Sequence, residues 1–443
     1  MRIVFSTYGT FGDVNPLVAL AVELKRRGHR AVLAVPEMFR SKIEPLGIDF
    51  FRVRPDQDPN DTRLIAMIYD IKHGTETGLR QFLFPALRDS YADLMAAVEA
   101  DGGADLLVAG ELAYAAPIVA EKTGIRWASY VLAPFSYFSA YDPPVLPPYP
   151  MLAHAQSAFP PLGHVVARFA RFVTRKWPEP VYELHRELGL PRGRDPIFDA
   201  KHSDRLALAL FSSVMGDPQP DWPRAARVTG FAFYDGTGDE GRLPPDVGKF
   251  LDAGPPPLVF TLGSAAVMNA GDFYEQSAQA AEMLGERAVL LIGADDRNLP
   301  KRKLPENICV ARYAPYSRIF PRASVVIHQG GIGTTAQALR AGRPMLVMPY
   351  SHDQPDNARR VHTLGVAEVL GRNRYKAAPA ARLIRKLLAE PRYREHGATA
   401  AARIAVEDGT NTACNALESA MRSITALRTT RCWSHAAHRD RTS

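Results

Sequence analysis

Short apolar runs alternate with longer stretches of helical apolar spacing along almost the whole chain. Runs at 2–6, 30–35, 105–109 and 126–130 predict strands in the first half; runs near 258–262, 288–292, 307–311, 324–328 and 345–348 predict them in the second. This alternation is the mark of parallel sheets covered by helices, so the expected fold class is α/β, with two Rossmann-like, doubly wound domains. A stretch rich in Gly, Pro and acid at 235–246 reads as the linker between a domain at 1–234 and a domain at 247–409. A last helical run spans 410–427. The basic remainder, 428–443, has no apolar period and is expected to be disordered.

The first unit is a strand, Arg2 to Ser6, followed by a loop from Thr7 to Asn15. Pro16 is then expected to open a helix capped by Asn15 and ended at Gly28. The loop lacks Gly-x-Gly-x-x-Gly, which argues against a dinucleotide dehydrogenase.

The most chemically loaded segment is His328-Gln329-Gly330-Gly331-Ile332-Gly333-Thr334-Thr335, between an apolar strand and a helix former that ends at Gly342. Glycines there let the backbone approach a ligand, and the helix start presents unpaired N–H groups, a combination suited to phosphate or diphosphate. A tight turn whose glycines only relieve sterics is the other reading. One strand later come Asp353 and Gln354, able to bond the hydroxyls of a polyol carried on that phosphate. Diphosphate plus polyol describes a nucleotide sugar.

Residues 312–357 resemble the donor tract of the GT-B fold nucleotide-sugar-dependent glycosyltransferases, the family of UDP-glycosyltransferases, sterol glucosyltransferases and bacterial antibiotic and rhamnolipid glycosyltransferases. The resemblance implies a GT-B architecture, with a cleft between the domains and the last helix crossing back to the first. It implies Tyr313 and Ala314 at the nucleobase, and Gly263 and Ser264 beside the β-phosphate. Gly12, His328, Gly330, Gly331, Ile332, Gly333 and Thr334 would complete the donor contacts, with Asp353 and Gln354 on the sugar. Relatives carry a base at the position of Asp13, and His328 would help neutralise the leaving diphosphate. Many also carry an aspartate after a later strand, where this chain has Gly110, with Glu111 beside it; a surface or loop role for Glu111 is the expectation. The acceptor half would include Phe11, together with Phe135, Tyr137, Phe138 and Tyr141 from a segment rich in proline and aromatics that either packs as a lid or walls an apolar pocket.

The expected reaction is therefore an inverting transfer of a hexose from a UDP- or dTDP-sugar to a hydroxyl of an apolar acceptor, with no cofactor and no metal. The rivals are a nucleotide-sugar epimerase or hydrolase on the same fold, and a non-catalytic nucleotide-sugar binder. Asp56-Gln57-Asp58 imitates the metal motif of the other glycosyltransferase fold, but no strand is expected before it and it is read as coincidence.

Composition adds bounds. The 443 residues, 46% hydrophobic, have room for two domains of ~200 residues. A net charge of +7 suits anionic nucleotides or a peripheral lean toward anionic membrane lipids. No nucleic-acid partner is expected, and oligomeric state is not readable. Cys309, Cys414 and Cys432 are too scattered for a disulfide frame or a zinc site. With no apolar stretch of ~18 residues and no signal-peptide pattern, a soluble, cytoplasmic protein is expected.

Overall fold

The computed structural model describes residues 1–56, 61–159, 161–236 and 241–422. Two fully parallel sheets carry the fold. The first contains β1 (Arg2–Ser6), β2 (Arg30–Val35), β3 (Asp49–Arg52), β4 (Leu106–Gly110), β5 (Trp127–Val131), β6 (Ala207–Ala209) and β7 (Ala226–Val228), in the order β3-β2-β1-β4-β5-β6-β7. The second contains β8 (Leu258–Thr261), β9 (Ala288–Leu291), β10 (Ile308–Ala311), β11 (Val325–His328), β12 (Met345–Val347) and β13 (Ala367–Val369), in the order β10-β9-β8-β11-β12-β13. Two parallel sheets of this kind are what the resemblance to the GT-B fold implies. The central strands β1, β4, β8 and β11 are buried along their whole length, which is why they read as unbroken apolar runs.

All nine expected strands are present, within a residue or so at their ends. Four more, β3, β6, β7 and β13, have only three or four residues each, too few to show a period. In β3, Asp49 and Arg52 bracket two phenylalanines and hide the strand. It overturns the expectation that no strand precedes Asp56.

In both sheets the strand order reverses between neighbours, at β1/β4 and at β8/β11. Ligands of open parallel sheets bind outside the carboxyl ends of the strands at such a reversal. Asp13 and Glu111 follow β1 and β4, while Gly263 and Gly330 follow β8 and β11.

The first helix, α1 (Phe11–Arg26), starts five residues earlier than expected, and Pro16 lies inside it. Thr10, not Asn15, is the N-cap. Its Oγ1 accepts from the Gly12 N–H at 3.1 Å, and Asp13 Oδ2 accepts from the Thr10 N–H at 2.7 Å. This reciprocal capping box outweighs the proline signal, because Pro16 forfeits only one backbone bond early in the helix.

The two units share packing. One apolar cluster runs from Val131, Phe211 and Trp222 to Val326, Val347 and Val361. Asp142, on the proline-rich segment, accepts from Arg360 Nη1 at 2.6 Å, and Arg360 Nε donates to the fully buried Asp356 at 2.7 Å. Asp356 also accepts from the Val145 N–H at 3.1 Å. The helix Gly409–Arg422 packs against α1, its Glu418 accepting from Arg27 at 3.3 Å and His29 at 3.0 Å. Residues 237–240 of the linker stretch, residues 423–427 of the last helical run, the basic stretch 428–443 and Cys432 lie outside the described residues.

Candidate active site

At the end of β11 the chain turns through Gly330, whose φ is +87°. A Cβ there would lie 2.9 Å from Val347 Cγ1 and 3.1 Å from the Gln354 carbonyl, so only glycine fits. Gly331 follows as the N-cap of the helix Ile332–Arg340 and brings no side-chain cap. The first N–H groups of that helix, on Ile332, Gly333 and Thr334, thus remain available to an anion.

His328 brings no positive charge to this turn. It is fully buried, and burial drives its imidazole down to about 3, so it is neutral at physiological pH. Nδ1 accepts from the Gly330 N–H at 3.0 Å, which puts the ring proton on Nε2. Nε2 is buried and has no protein partner. His328 can offer one hydrogen bond but no positive charge.

Gly263 and Ser264 follow β8, with Ser264 exposed. A Cβ on Gly263 would approach Gln329 Nε2 to 2.4 Å, which puts this turn against the β11 turn. Tyr313 is 54% exposed after β10, open enough to stack, and Ala314 beside it is buried. Asp353 caps the helix Gln354–Thr363, and its Oδ2 accepts from Asn357 Nδ2 at 2.7 Å. Burial raises the Asp353 carboxyl to about 7 against that bond, with the Asp13 and Glu111 charges adding to the rise. Gln354 is not the free donor and acceptor expected of it. Its Oε1 already accepts from the Tyr350 N–H at 2.9 Å, so its amide NH2 is the group left to offer.

Across the cleft, Asp13 is half-buried, and both its bonds to Thr10 fall on Oδ2. Burial pushes its carboxyl up to about 6 despite those bonds, and the Glu111 charge contributes. A recess of 10 Å³, about the space of one water, lies among Thr7, Tyr8, Asp13, Glu111 and Tyr130. Gly110 explains the missing family aspartate: a Cβ there would lie 2.7 Å from Tyr130 Oη and 2.8 Å from Thr7 Oγ1.

Glu111 sits in the turn after β4, as the loop reading has it, but it is paired and not free at the surface. Ser136 Oγ donates to it at 2.6 Å and Lys201 Nζ at 2.9 Å. Burial alone would raise Glu111, but the Lys201 charge and these bonds outweigh it and hold the carboxyl low. Glu111 and Gly110 also line a cavity of 430 Å³ that reaches Tyr114, Trp127 and His185. Lys201 lies too far along the chain for any motif to have linked it to Glu111.

The expected acceptor residues do not gather at one surface. Tyr137 is buried, its ring 4.3 Å from Trp222 and 5.3 Å from His202, and Phe138 packs on Phe198 at 5.3 Å. Phe11 packs on Phe39 at 5.2 Å. Tyr141 is exposed beside His164, and half-buried Phe135 lines neither cavity. The segment is tied to its own domain through Asp221 and to the second through Asp142, so packing accounts for most of its aromatics. Of the metal-like motif, Asp56 accepts from the Glu37 N–H at 2.9 Å and from Arg52 at 2.6 Å. Gln57 and Asp58 lie outside the described residues.

Tyr69, which no sequence signal singled out, meets the second domain. Its ring lies 5.4 Å from His352 and 6.3 Å from Tyr350, edge to face. The Asp13 charge contributes to the raised pKa of both Tyr69 and Asp353.

Two family models match the chain: the glycosyltransferase family 28 N-terminal domain over residues 3–136, and the erythromycin biosynthesis protein CIII-like C-terminal domain over 278–417. The O-mycaminosyltylonolide 6-deoxyallosyltransferase of Streptomyces fradiae is 29% identical, across 94% of this chain and 97% of that protein. The vancomycin aglycone glucosyltransferase of Amycolatopsis orientalis is 30% identical, across 83% and 85%. Among solved structures, a glycosyltransferase of kitacinnamycin superposes with a TM-score of 0.70 at 22% identity, covering 95% of this chain and 99% of that one. A spinosyn rhamnosyltransferase complexed with thymidine diphosphate gives 0.67 at 17%, covering 94% and 100%.

Proposed function

Because the chain belongs to the antibiotic-type GT-B glycosyltransferases, we propose that it is an inverting enzyme that moves a hexose from a UDP- or dTDP-sugar to a hydroxyl of an apolar natural-product acceptor. The names of its relatives, a vancomycin aglycone glucosyltransferase among them, support that acceptor class.

The observation that carries the mechanism is the half-buried Asp13 carboxylate, at the strand-order reversal of the first sheet and in electrostatic reach of Asp353 in the second. With its carboxyl near 6, Asp13 is mostly ionised at neutral pH and can take the acceptor proton. The acceptor oxygen bonds to the anomeric carbon as the carbon–oxygen bond to the diphosphate breaks, and the leaving group keeps the electron pair. The transition state is oxocarbenium-like, and attack from the face opposite the leaving group inverts the anomeric centre.

The N–H groups of Ile332, Gly333 and Thr334, with His328 Nε2–H, receive the charge developing on the diphosphate, so no metal is required. Tyr313 stacks on the base, and Asp353 and Gln354 hold the sugar. The 430 Å³ cavity, sharing Gly110 and Glu111 with the recess at Asp13, takes the body of the acceptor.

The test is incubation with UDP- and dTDP-hexoses and a panel of hydroxylated natural products, in the presence of EDTA. A hexose mass increment with an inverted anomeric coupling in the product NMR spectrum is expected. A product that keeps the donor configuration, or a strict need for added Mg²⁺, rejects the reading.

A further inference from the structure

The helix Pro161–Thr174 carries its apolar stripe on the outside. Val165, Phe169 and Phe172, spaced by four and three residues, share one helical face and are 60%, 65% and 59% exposed. The inward positions, Leu162, Val166 and Ala170, carry no aromatic ring and are only half-buried. In a globular domain the strongest apolar stripe of such a helix faces the core, so the inversion needs an explanation. The patch continues onto the adjoining helix Pro150–Ala158 and the turn after it, where Met151 is 75% and Phe159 63% exposed.

The charge around this face has one sign. No Asp or Glu occurs between Asp142 and Glu179, whereas Arg168, Arg171, Arg175 and Lys176 do. Arg171 is engaged by Asp199 at 2.6 Å, and the Arg175 guanidinium lies 3.9 Å over the Phe172 ring. No ion pair among the described residues involves Arg168, Arg175 or Lys176. The remainder of the chain adds to the net +7.

We propose that this face is a docking surface for an anionic lipid bilayer, with Val165, Phe169 and Phe172 entering the boundary between headgroups and acyl chains and the neighbouring cations meeting lipid phosphates. No helix among the described residues is long and apolar enough to cross a membrane, so the contact is peripheral. Charge decides against a second copy of the chain, because a twofold contact would set these cations against their own copies. The face is fixed to the site's surroundings. Gly163 packs so closely on Ala140 that a Cβ would come within 2.3 Å of its carbonyl oxygen, and His164 meets Tyr141 at 5.4 Å. Docking would hold the segment that contacts the donor domain at the lipid surface, where apolar compounds partition.

The experiment is sedimentation of the full-length protein with phosphatidylcholine vesicles, with and without phosphatidylglycerol. Binding to the mixed vesicles only, released by salt, is expected. The double variant Phe169→Ser/Phe172→Ser should lose at least ~10-fold in vesicle affinity, and Arg168→Ala and Lys176→Ala about fivefold each. Transfer to a water-soluble acceptor without vesicles should be unchanged in all of them, since none lies in the site. Absence of binding to anionic vesicles, or equal binding by the double variant, overturns the proposal. So does a wild-type dimer in light scattering that the double variant converts to monomer, which would assign the face to a second copy.

Discussion

The two strand-order reversals of this protein have the same topology and opposite chemistry. At β8/β11 the functional groups are backbone N–H groups, presented by glycines and a helix start, with a neutral histidine that adds one donor. At β1/β4 they are side-chain carboxylates, Asp13 and Glu111, each adjusted by burial and by its neighbours. Backbone donors keep their polarity at any pH and suit a ligand whose charge never changes. A carboxylate near 6 suits a proton that must move. The fold supplies two equivalent crevices, and residue choice lines one with backbone donors and the other with carboxylates.

The sharpest break in this comparison is Asp13→Asn. It should lower kcat by ~10²–10⁴-fold while leaving nucleoside diphosphate affinity within about twofold, read by turnover and calorimetry. The same variant should be the more stable protein at neutral pH. Because the folded carboxyl is raised above its unfolded value, wild type loses stability as pH climbs toward and through about 6. Melting curves should therefore separate above that pH and converge in acid. A wild type that melts higher at pH 7 would contradict the assignment.

Next is His328→Ala, expected to cost ~10²–10³-fold in kcat through loss of one buried donor. Since the ring stays neutral, diphosphate binding to wild type should show no His328 titration between pH 5 and 8. A step there would give His328 a charge and erase the contrast.

Gly330→Ala tests the backbone side directly. The added Cβ and positive φ should cost about 1–3 kcal/mol of stability and weaken donor binding at least ~10-fold, with little change at the acceptor side. The smallest expected effect is that of Glu111→Gln. Removing a charge that raises Asp13 should move the acid limb of kcat/KM, expected near pH 6, to lower pH. No shift would mean that Glu111 and Asp13 do not communicate.

The same contrast decides what could be read from the chain. The strand, turn and helix start at β11 were legible because their parts are consecutive: they write themselves as His328 to Thr335. The carboxylate side was legible only at Asp13, and there the helix start was misplaced because Thr10 and Asp13 cap each other across the expected loop. For Glu111 the loop position could be read but not the pairing. Its partners Ser136 and Lys201 and the Tyr130 hydroxyl that fills the space at Gly110 come from distant segments. Aromatic content could not decide at Tyr137 and Phe138, since composition cannot separate a pocket wall from packing inside the first domain, here on Trp222, His202 and Phe198. The short strands β3, β6, β7 and β13 were lost for want of length.

The buried group of Asp142, Arg360 and Asp356 sets how this molecule can open. Opening there would part Asp142 from Arg360, which keeps only its same-helix partner Asp356, and breaking such a pair in a medium of low polarisability costs several kcal/mol. Tyr69 meets Tyr350 and His352 through ring edges, worth about 0.5–1.5 kcal/mol each, and beside it Ser351 Oγ donates to the Asp70 carbonyl at 3.4 Å. Breathing of the cleft should then be a swing, with the charged cluster as its hinge pin and the Tyr69 contact as its latch.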